Sequence, residues 1–406
     1  MYFEFNFYSV LLIPAVIQGL LFTCLLWIRG WGQILSDRIL ALLLLLNTIK
    51  VAFWMLGFAG WYDIHDWHTS FMFYFPFNNF PWIGPLLYFY FLSLTNNEFH
   101  WNKKYFKHLI VPIAWSAFII VKFLLDIFFY YPFANSESTQ YGCRGPLAEL
   151  DKSPVALCVG FISFFYYAYI TLKAFDAYKL YIRNNFSETS EIEFNWLRNL
   201  IYISIFGCVV FLLFVSLSTF TTITYKIDWI AYFTLGIIIY YLSIAGYTAP
   251  KHDLKKLHFD FNEVKLPIIA EKTEKIISDE IIEWKLKLES WMAEKQPYLA
   301  PELTLIDLAK QLDTSLSVLS KVINDGMGRN FNDFINSYRV NAVIDAMRKG
   351  THLKQTLLGL AYDCGFNSKA TFNRSFKKNT GMAPREFLLT LNEEIKNNME
   401  KDSVNL

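Results

Sequence analysis

The chain has 406 residues, 54% of them hydrophobic and 18% aromatic, with a formal net charge of +1 and a mean hydropathy of +0.27. Such a length leaves room for two or three domains, and so apolar a composition argues against an ordinary soluble protein. Five cysteines without CxxC or metal-ligand spacing suggest neither a zinc site nor a dense disulfide framework.

No basic stretch precedes the first apolar run and no convincing small-residue cleavage site follows it, so that run reads as a retained span. A helix needs about 20 mostly apolar residues to cross roughly 30 Å of hydrocarbon. Seven segments qualify: residues 8–28, 39–60, 71–95, 109–129, 155–172, 199–220 and 229–247. The third is interrupted by Pro76, Pro81 and Pro85 with Asn78 and Asn79, so a kink or a late start is expected. A broken backbone is costly in lipid, which predicts that this segment packs against other helices. The rival reading, seven core helices of a large soluble protein, fits poorly with such long uncharged runs.

Lysines and arginines orient the spans. One set of connections carries Arg29 and Arg38; Lys103, Lys104 and Lys107; Lys173, Lys179, Arg183 and Arg198; and Lys251, Lys255 and Lys256. The alternate set carries only Arg144, Lys152 and Lys226. With seven spans the amino terminus is expected outside and the carboxy-terminal half in the cytoplasm.

Ionisable groups at bilayer depth invite a functional reading. Lys50 lies in the second segment, and Lys122 and Asp126 share a face of the fourth at i, i+4. They make a candidate intramembrane site for an anionic ligand; a structural ion pair or snorkelling side chains is the plainer alternative. The outer loop 61–68 gathers two His, two Asp and three aromatics, which suits a metal, a sugar or, more simply, an interfacial aromatic belt. Cys143 and Cys158 lie on the outer side, where a bridge is permitted but not required.

Beyond residue 250 the composition turns polar. A connector, 251–298, contains a helix expected over 268–296, with Ile277, Ile281, Trp284, Leu288 and Trp291 spaced 4, 3, 4 and 3 apart. Two heptads suit either a short dimer helix or a seam docked on its own domain, and both readings stand.

Residues 299–391 then write one pattern twice: TLIDLAKQLDTSLSVLSKVI and TLLGLAYDCGFNSKATFNRSF. Each has an apolar-periodic helix, a tight turn and a second helix with a polar face, the pattern of a helix-turn-helix. Thr304 is the expected N-cap of the first unit, with Asp307 at the third helical position. Asp313 occupies its turn, and Gly365 the turn of the second. The spacing predicts a helix over 315–324 burying Leu316, Leu319, Val322 and Ile323, which leaves Ser317, Val318, Ser320, Lys321 and Asn324 for DNA. In the second unit, a helix over 368–378 buries Phe372 and Phe376 and turns Lys369, Ala370, Thr371, Asn373 and Arg374 outward. Arg and Lys read guanine edges, Asn reads adenine, and small apolar groups meet the thymine methyl. Lys377, Lys378 and Arg385 suit phosphates, which position without specifying. The stretch 367–385 holds five basic residues and no acid. Asn330 opens a long linking helix, Pro384 fits the first turn of a closing helix, and 392–406 is left as a tail.

NFNDFINSYRVNAV and CGFNSKATFNRSFKKNTGMAPREF resemble the linker helix and the signature region of the AraC/XylS family of transcriptional regulators. The similarity runs from about residue 299 to 391. It departs at Asp313, where Gly is common, and at Ala383, where Ser or Thr usually precedes the proline. The membrane half resembles, in topology and order alone, the multi-span sensors that some bacterial members carry. The resemblance implies sequence-specific binding of double-stranded promoter DNA and control of initiation, hence RNA polymerase as a partner, commonly as a homodimer.

The chain thus reads as all-α: a seven-helix membrane domain (1–250), a helical connector and a double helix-turn-helix domain. A small molecule or peptide is the expected signal. The alternative is a transporter-like membrane protein with a fused DNA-binding reporter, for which no inverted repeat is visible. No HExxH, GxSxG or glycine-rich phosphate loop appears, so no enzyme, cofactor or metal is expected.

Overall fold

The computed structural model describes residues 3–31, 34–61, 72–75, 77, 79–130, 145–148, 150, 154–218, 225–249, 257–259, 261 and 278–404. Regular secondary structure among them is helical, with isolated bridges only outside the helices. The chain divides into two compact units, the first made of 1–175 and 194–261, the second of 176–193 and 262–406.

The first unit contains α1 (Ile13–Gly30), α2 (Leu35–Phe58), α3 (Phe80–Thr95), α4 (Ile110–Tyr130), most of α5 (Pro154–Asn185), α6 (Asn195–Ser218) and α7 (Tyr225–Thr248). Among the described residues six stretches are long and apolar enough to cross a membrane: Phe7–Gly30, Leu35–Phe58, Lys103–Tyr130, Cys158–Asn185, Asn195–Leu213 and Asp228–Thr248. Large apolar side chains stand exposed on them, among them Ile17 and Ile28 on α1, Leu124 and Phe128 on α4, and Ile162 and Tyr169 on α5. Helices of a soluble core would bury that surface, so this arrangement suits an apolar surrounding.

The third expected segment starts late, as its prolines predict, and falls short of the length expected of a span. Its helix is α3, only 16 residues long, or about 24 Å at 1.5 Å per residue. Pro81 sits in its first turn and Pro85 inside it. A proline lacks the N–H that would extend a helix backwards, so it starts this one late. As expected of a proline-broken segment, α3 is enclosed by protein: Tyr88, Phe89, Tyr90, Phe91 and Leu92 are all buried.

Close packing of α1 on α2 depends on Gly19, where an added Cβ would overlap Thr48 Oγ1; small residues let helices approach where no water drives them together. At the ends of these helices Arg29 Nε donates to Asp37 Oδ2 at 2.7 Å and Nη1 to the Tyr247 carbonyl at 2.7 Å. Asp37 is buried, so this pair joins α1, α2 and α7.

The second unit contains α8 (Ser278–Lys295), α9 (Leu305–Gln311), α10 (Leu316–Lys321), α11 (Phe331–Arg348), α12 (Leu357–Asp363), α13 (Lys369–Thr380) and α14 (Pro384–Val404). Two apolar cores lie side by side. Leu305, Leu308, Leu319, Val322 and Phe334 centre the first; Val343, Leu360, Ala361, Phe372 and Phe376 centre the second. α11 feeds both, with Phe331, Phe334 and Ile335 in one and Val340, Val343 and Met347 in the other. Its 18 residues span about 27 Å. The seam of α8 is spent inside this unit: Leu288 and Met292 are buried in the first core, and Trp284 and Trp291 pack against it. Ile277 lies outside the described residues. α14 runs through most of the stretch that the sequence leaves as a tail.

Candidate nucleic-acid interface

Each helix-turn-helix begins with a capped helix. Thr304 Oγ1 accepts from the Asp307 backbone N–H, and the Asp307 carboxylate accepts from the Thr304 N–H in return, satisfying two donors that the first turn leaves open. In the second unit the Thr356 hydroxyl accepts from Gly359 N–H. Ser315, Asn330 and Ser368 cap α10, α11 and α13 in the same way.

The two turns use different devices for one backbone shape. Asp313 has φ 52° and Gly365 φ 91°. Gly365 is also a close approach, since a Cβ there would overlap the Tyr298 carbonyl oxygen.

The residues expected to meet DNA separate into three groups. Ser317, Lys369, Ala370, Asn373, Arg374, Lys377, Lys378 and Arg385 are exposed on their helices. Val318, Ser320, Lys321 and Asn324 are half-buried: Val318 packs on the first core, and Asn324 Nδ2 donates back to the Ser320 carbonyl at 2.9 Å. Thr371 departs from its expected place, being buried at 1% exposure. Its hydroxyl donates to Glu188 Oε1 at 2.7 Å, from a segment 183 residues earlier. Leu316 departs in the opposite sense and stands 42% exposed. It follows the cap directly, at the outer rim of a helix only six residues long before the backbone widens into a π turn over Val322–Gly326.

Two exposed cations of α13 already have partners. Lys378 Nζ lies 2.6 Å from Asp333 Oδ2 of α11, and Arg374 Nη1 lies 3.4 Å from Glu193 Oε1. With Thr371 they form a stripe at i, i+3 and i+7, one edge of the helix facing three carboxylates.

Beneath that edge is a polar socket that sequence reasoning missed. Asn332, Asn336 and Arg339 are all buried on α11. Both asparagines donate to the Ser187 carbonyl, at 2.9 and 3.1 Å. Arg339 donates to the carbonyls of Tyr298, Ala300 and Pro301, to Ser187 Oγ and to Asn336 Oδ1. Burial pushes its guanidinium down to about 10, with Glu188 opposing the shift; the group stays charged at neutral pH. The sequence signal was present, since the spacing of 4 and 3 puts polar side chains on a helix whose other faces are apolar.

Cys364 is buried in the second core, and burial pushes its thiol up to about 11. The thiolate is the reactive form, so at pH 7.5 Cys364 is expected to alkylate roughly a hundredfold more slowly than an ordinary thiol. Maleimide labelling before and after denaturation checks this; equal rates would place Cys364 outside the core.

The candidate membrane site is assembled differently from expectation. Lys122 and Asp126 are buried. Lys122 Nζ donates to the Ala148 carbonyl at 2.9 Å, while Asp126 accepts from the Tyr74 hydroxyl at 2.8 Å and the Leu147 N–H at 3.1 Å. Both charges thus hold the 145–148 segment on α4. Lys50 is half-buried on α2. Cys143 and most of loop 61–68 lie outside the described residues, and no group of three metal-binding side chains occurs among the described ones.

Residues 308–389 match a family model described as a helix-turn-helix domain. Curated relatives include uncharacterized HTH-type transcriptional regulators of Staphylococcus aureus strains COL, MSSA476 and N315, each 32% identical over 87 residues. The match covers 21% of this chain and 11% of each relative, so the chain spans about a tenth of their length. No solved structure gives a significant match. What matches is a helix-turn-helix module: residues 308–389 of this chain are similar to that domain.

Proposed function

We propose that this protein is a membrane-anchored bacterial transcription regulator that binds promoter DNA through α10 and α13. The observation that carries the reading is the pair of capped helix-turn-helix units on one linking helix. Their spacer of about 27 Å approaches the ~34 Å between successive major grooves. The printed description of the relatives, transcriptional regulators, supports the same reading. Direct readout falls to Lys369, Asn373 and Arg374, with Ser317 in the first unit; Lys377 and Arg385 meet phosphates. RNA polymerase is the further partner that control of initiation implies.

Loop charges support a cytoplasmic place for the DNA-binding unit whether or not α3 crosses. If it does, the side carrying that unit has twelve loop cations against three; if it stops short, ten against five. Only the part of the chain before α3 changes side between the two arrangements: the amino terminus lies outside with seven crossings and inside with six, and the connection carrying Arg29 and Arg38 moves the opposite way. The input is a small molecule or peptide acting on the apolar unit, and Lys50, Lys122 and Asp126 remain its candidate residues.

Arg374→Ala tests the reading. Duplexes are enriched from a random-sequence pool by the full chain in detergent, and both proteins are titrated against the winner. The variant is expected to lose about 1–3 kcal/mol and to relax specificity at one base pair. Unchanged affinity removes Arg374 from the reading set. Failure of the wild type to enrich any sequence refutes DNA recognition itself.

A further inference from the structure

The 186–193 segment of the second unit, Phe-Ser-Glu-Thr-Ser-Glu-Ile-Glu, carries three acids and no base. It is joined directly to α5 on one side and leads into α6 on the other. Its two parts are held unequally. At the anchor, the Ser187 N–H donates to the Leu303 carbonyl at 3.2 Å, and Asn332, Asn336 and Arg339 hold its carbonyl and hydroxyl. At the tip, Glu188 takes the Thr371 hydroxyl and Glu193 takes Arg374 and the Thr189 hydroxyl, while Thr189 and Ile192 are buried and the Tyr178 hydroxyl donates to the Ile192 carbonyl at 2.7 Å. The tip is imperfectly satisfied: Glu188 Oε2 and Ser190 Oγ are buried with no hydrogen-bond partner among the described residues. Such atoms carry a desolvation cost that release into water recovers.

We propose that this acidic strap is an intrachain inhibitor of the DNA-reading edge of α13, an inference that rests on the DNA-binding reading above. Its carboxylates stand where phosphate oxygens or base acceptors would approach Thr371 and Arg374, so docking of the tip and docking of DNA exclude each other. The anchor stays on α11 while the tip lifts. Because the strap is continuous with two apolar helices, a displacement of either acts on the reading edge without any intervening domain. A signal then shifts the docked and lifted populations only as far as it discriminates between them.

Full chain in detergent is titrated with a mixed-sequence fluorescent duplex, whose binding is governed by phosphate contacts. The E188Q/E193Q double variant is expected to bind about fivefold tighter than wild type, the size of two weak surface pairs. Its salt dependence should be steeper by about one phosphate contact. Glu191→Gln, an exposed change in the same segment, separates strap contact from net charge and should leave affinity at the wild-type value. An equal gain in E191Q, or no gain in the double variant, overturns the inference. If no form binds any duplex, it is the DNA-binding reading that fails. Hydrogen exchange gives a second measure on the unaltered chain: peptides over 186–193 should lose protection when duplex saturates it, and unchanged protection overturns the strap.

Discussion

Arg339→Leu is expected to destabilise the second unit by about 3–5 kcal/mol, the usual cost of removing one partner from a buried charged network. The guanidinium is fully buried and donates five hydrogen bonds. Leucine fills much of the volume but leaves the Tyr298 carbonyl without a donor, and the Ala300 and Pro301 carbonyls with only the long bonds from Leu303 N–H and Ser187 Oγ at 3.3 and 3.4 Å; an unsatisfied group costs about 1–3 kcal/mol. Arg339→Lys should recover only part of the loss, because an ammonium cannot reproduce the planar fork. Thermal unfolding of the full chain in detergent, followed by proteolysis at sites within 278–404, should show the midpoint falling by roughly 10 °C. A fall below a quarter of that would mean that water replaces the arginine at little cost and that the socket is not a structural joint.

Gly365→Ala should cost about 2–4 kcal/mol, the sum of a left-handed backbone penalty and overpacking. The methyl group meets the Tyr298 carbonyl oxygen, the same oxygen that accepts from Arg339 Nε at 2.8 Å. Backbone on both sides of that contact leaves no flexible side chain to give way. Asp313→Gly is the informative contrast. The first turn has φ 52° and already carries a side chain, so relief of its left-handed strain should stabilise slightly, by about 1 kcal/mol or less. If both turns respond alike, the crowding at Gly365 is not the cause.

The two variants also bear on function in different ways. Arg339 and the strap share Ser187, so Arg339→Leu removes part of the anchor as well as stability. Gly365→Ala strikes the turn that presents α13 while keeping every side chain that bonds the strap. Duplex binding measured beside unfolding in both separates a loosened reading head from a released strap.

Local rules made much of this chain legible. Thr304 with Asp307, Asn330, Ser368 and Pro384 fixed helix starts, because capping is decided within a few residues. Asp313 and Gly365 marked the turns for the same reason. The apolar runs showed where membrane-length helices lie, since burial of twenty apolar residues in a row leaves few alternatives. The prolines around α3 announced an interruption, although not that its helix would shorten to 16 residues.

Other features depended on partners distant in sequence. The α8 seam suited a dimer or its own core equally, and only packing against Leu305 and Leu319 placed Leu288 in the latter. Thr371 reads as exposed from helical periodicity, yet Glu188, 183 residues away, covers it. The Asn332–Asn336–Arg339 stripe is a polar face whose covering no local pattern names. Helix periodicity states which side chains share a face; what closes over that face is a long-range contact, set by the whole chain. The sequence by itself therefore determined the helices, their caps and turns and the double reading unit from Leu305 to Leu391. The tertiary structure alone decided that one edge of the second reading helix lies under an acidic strap, because only packing brings 186–193 to α11 and α13.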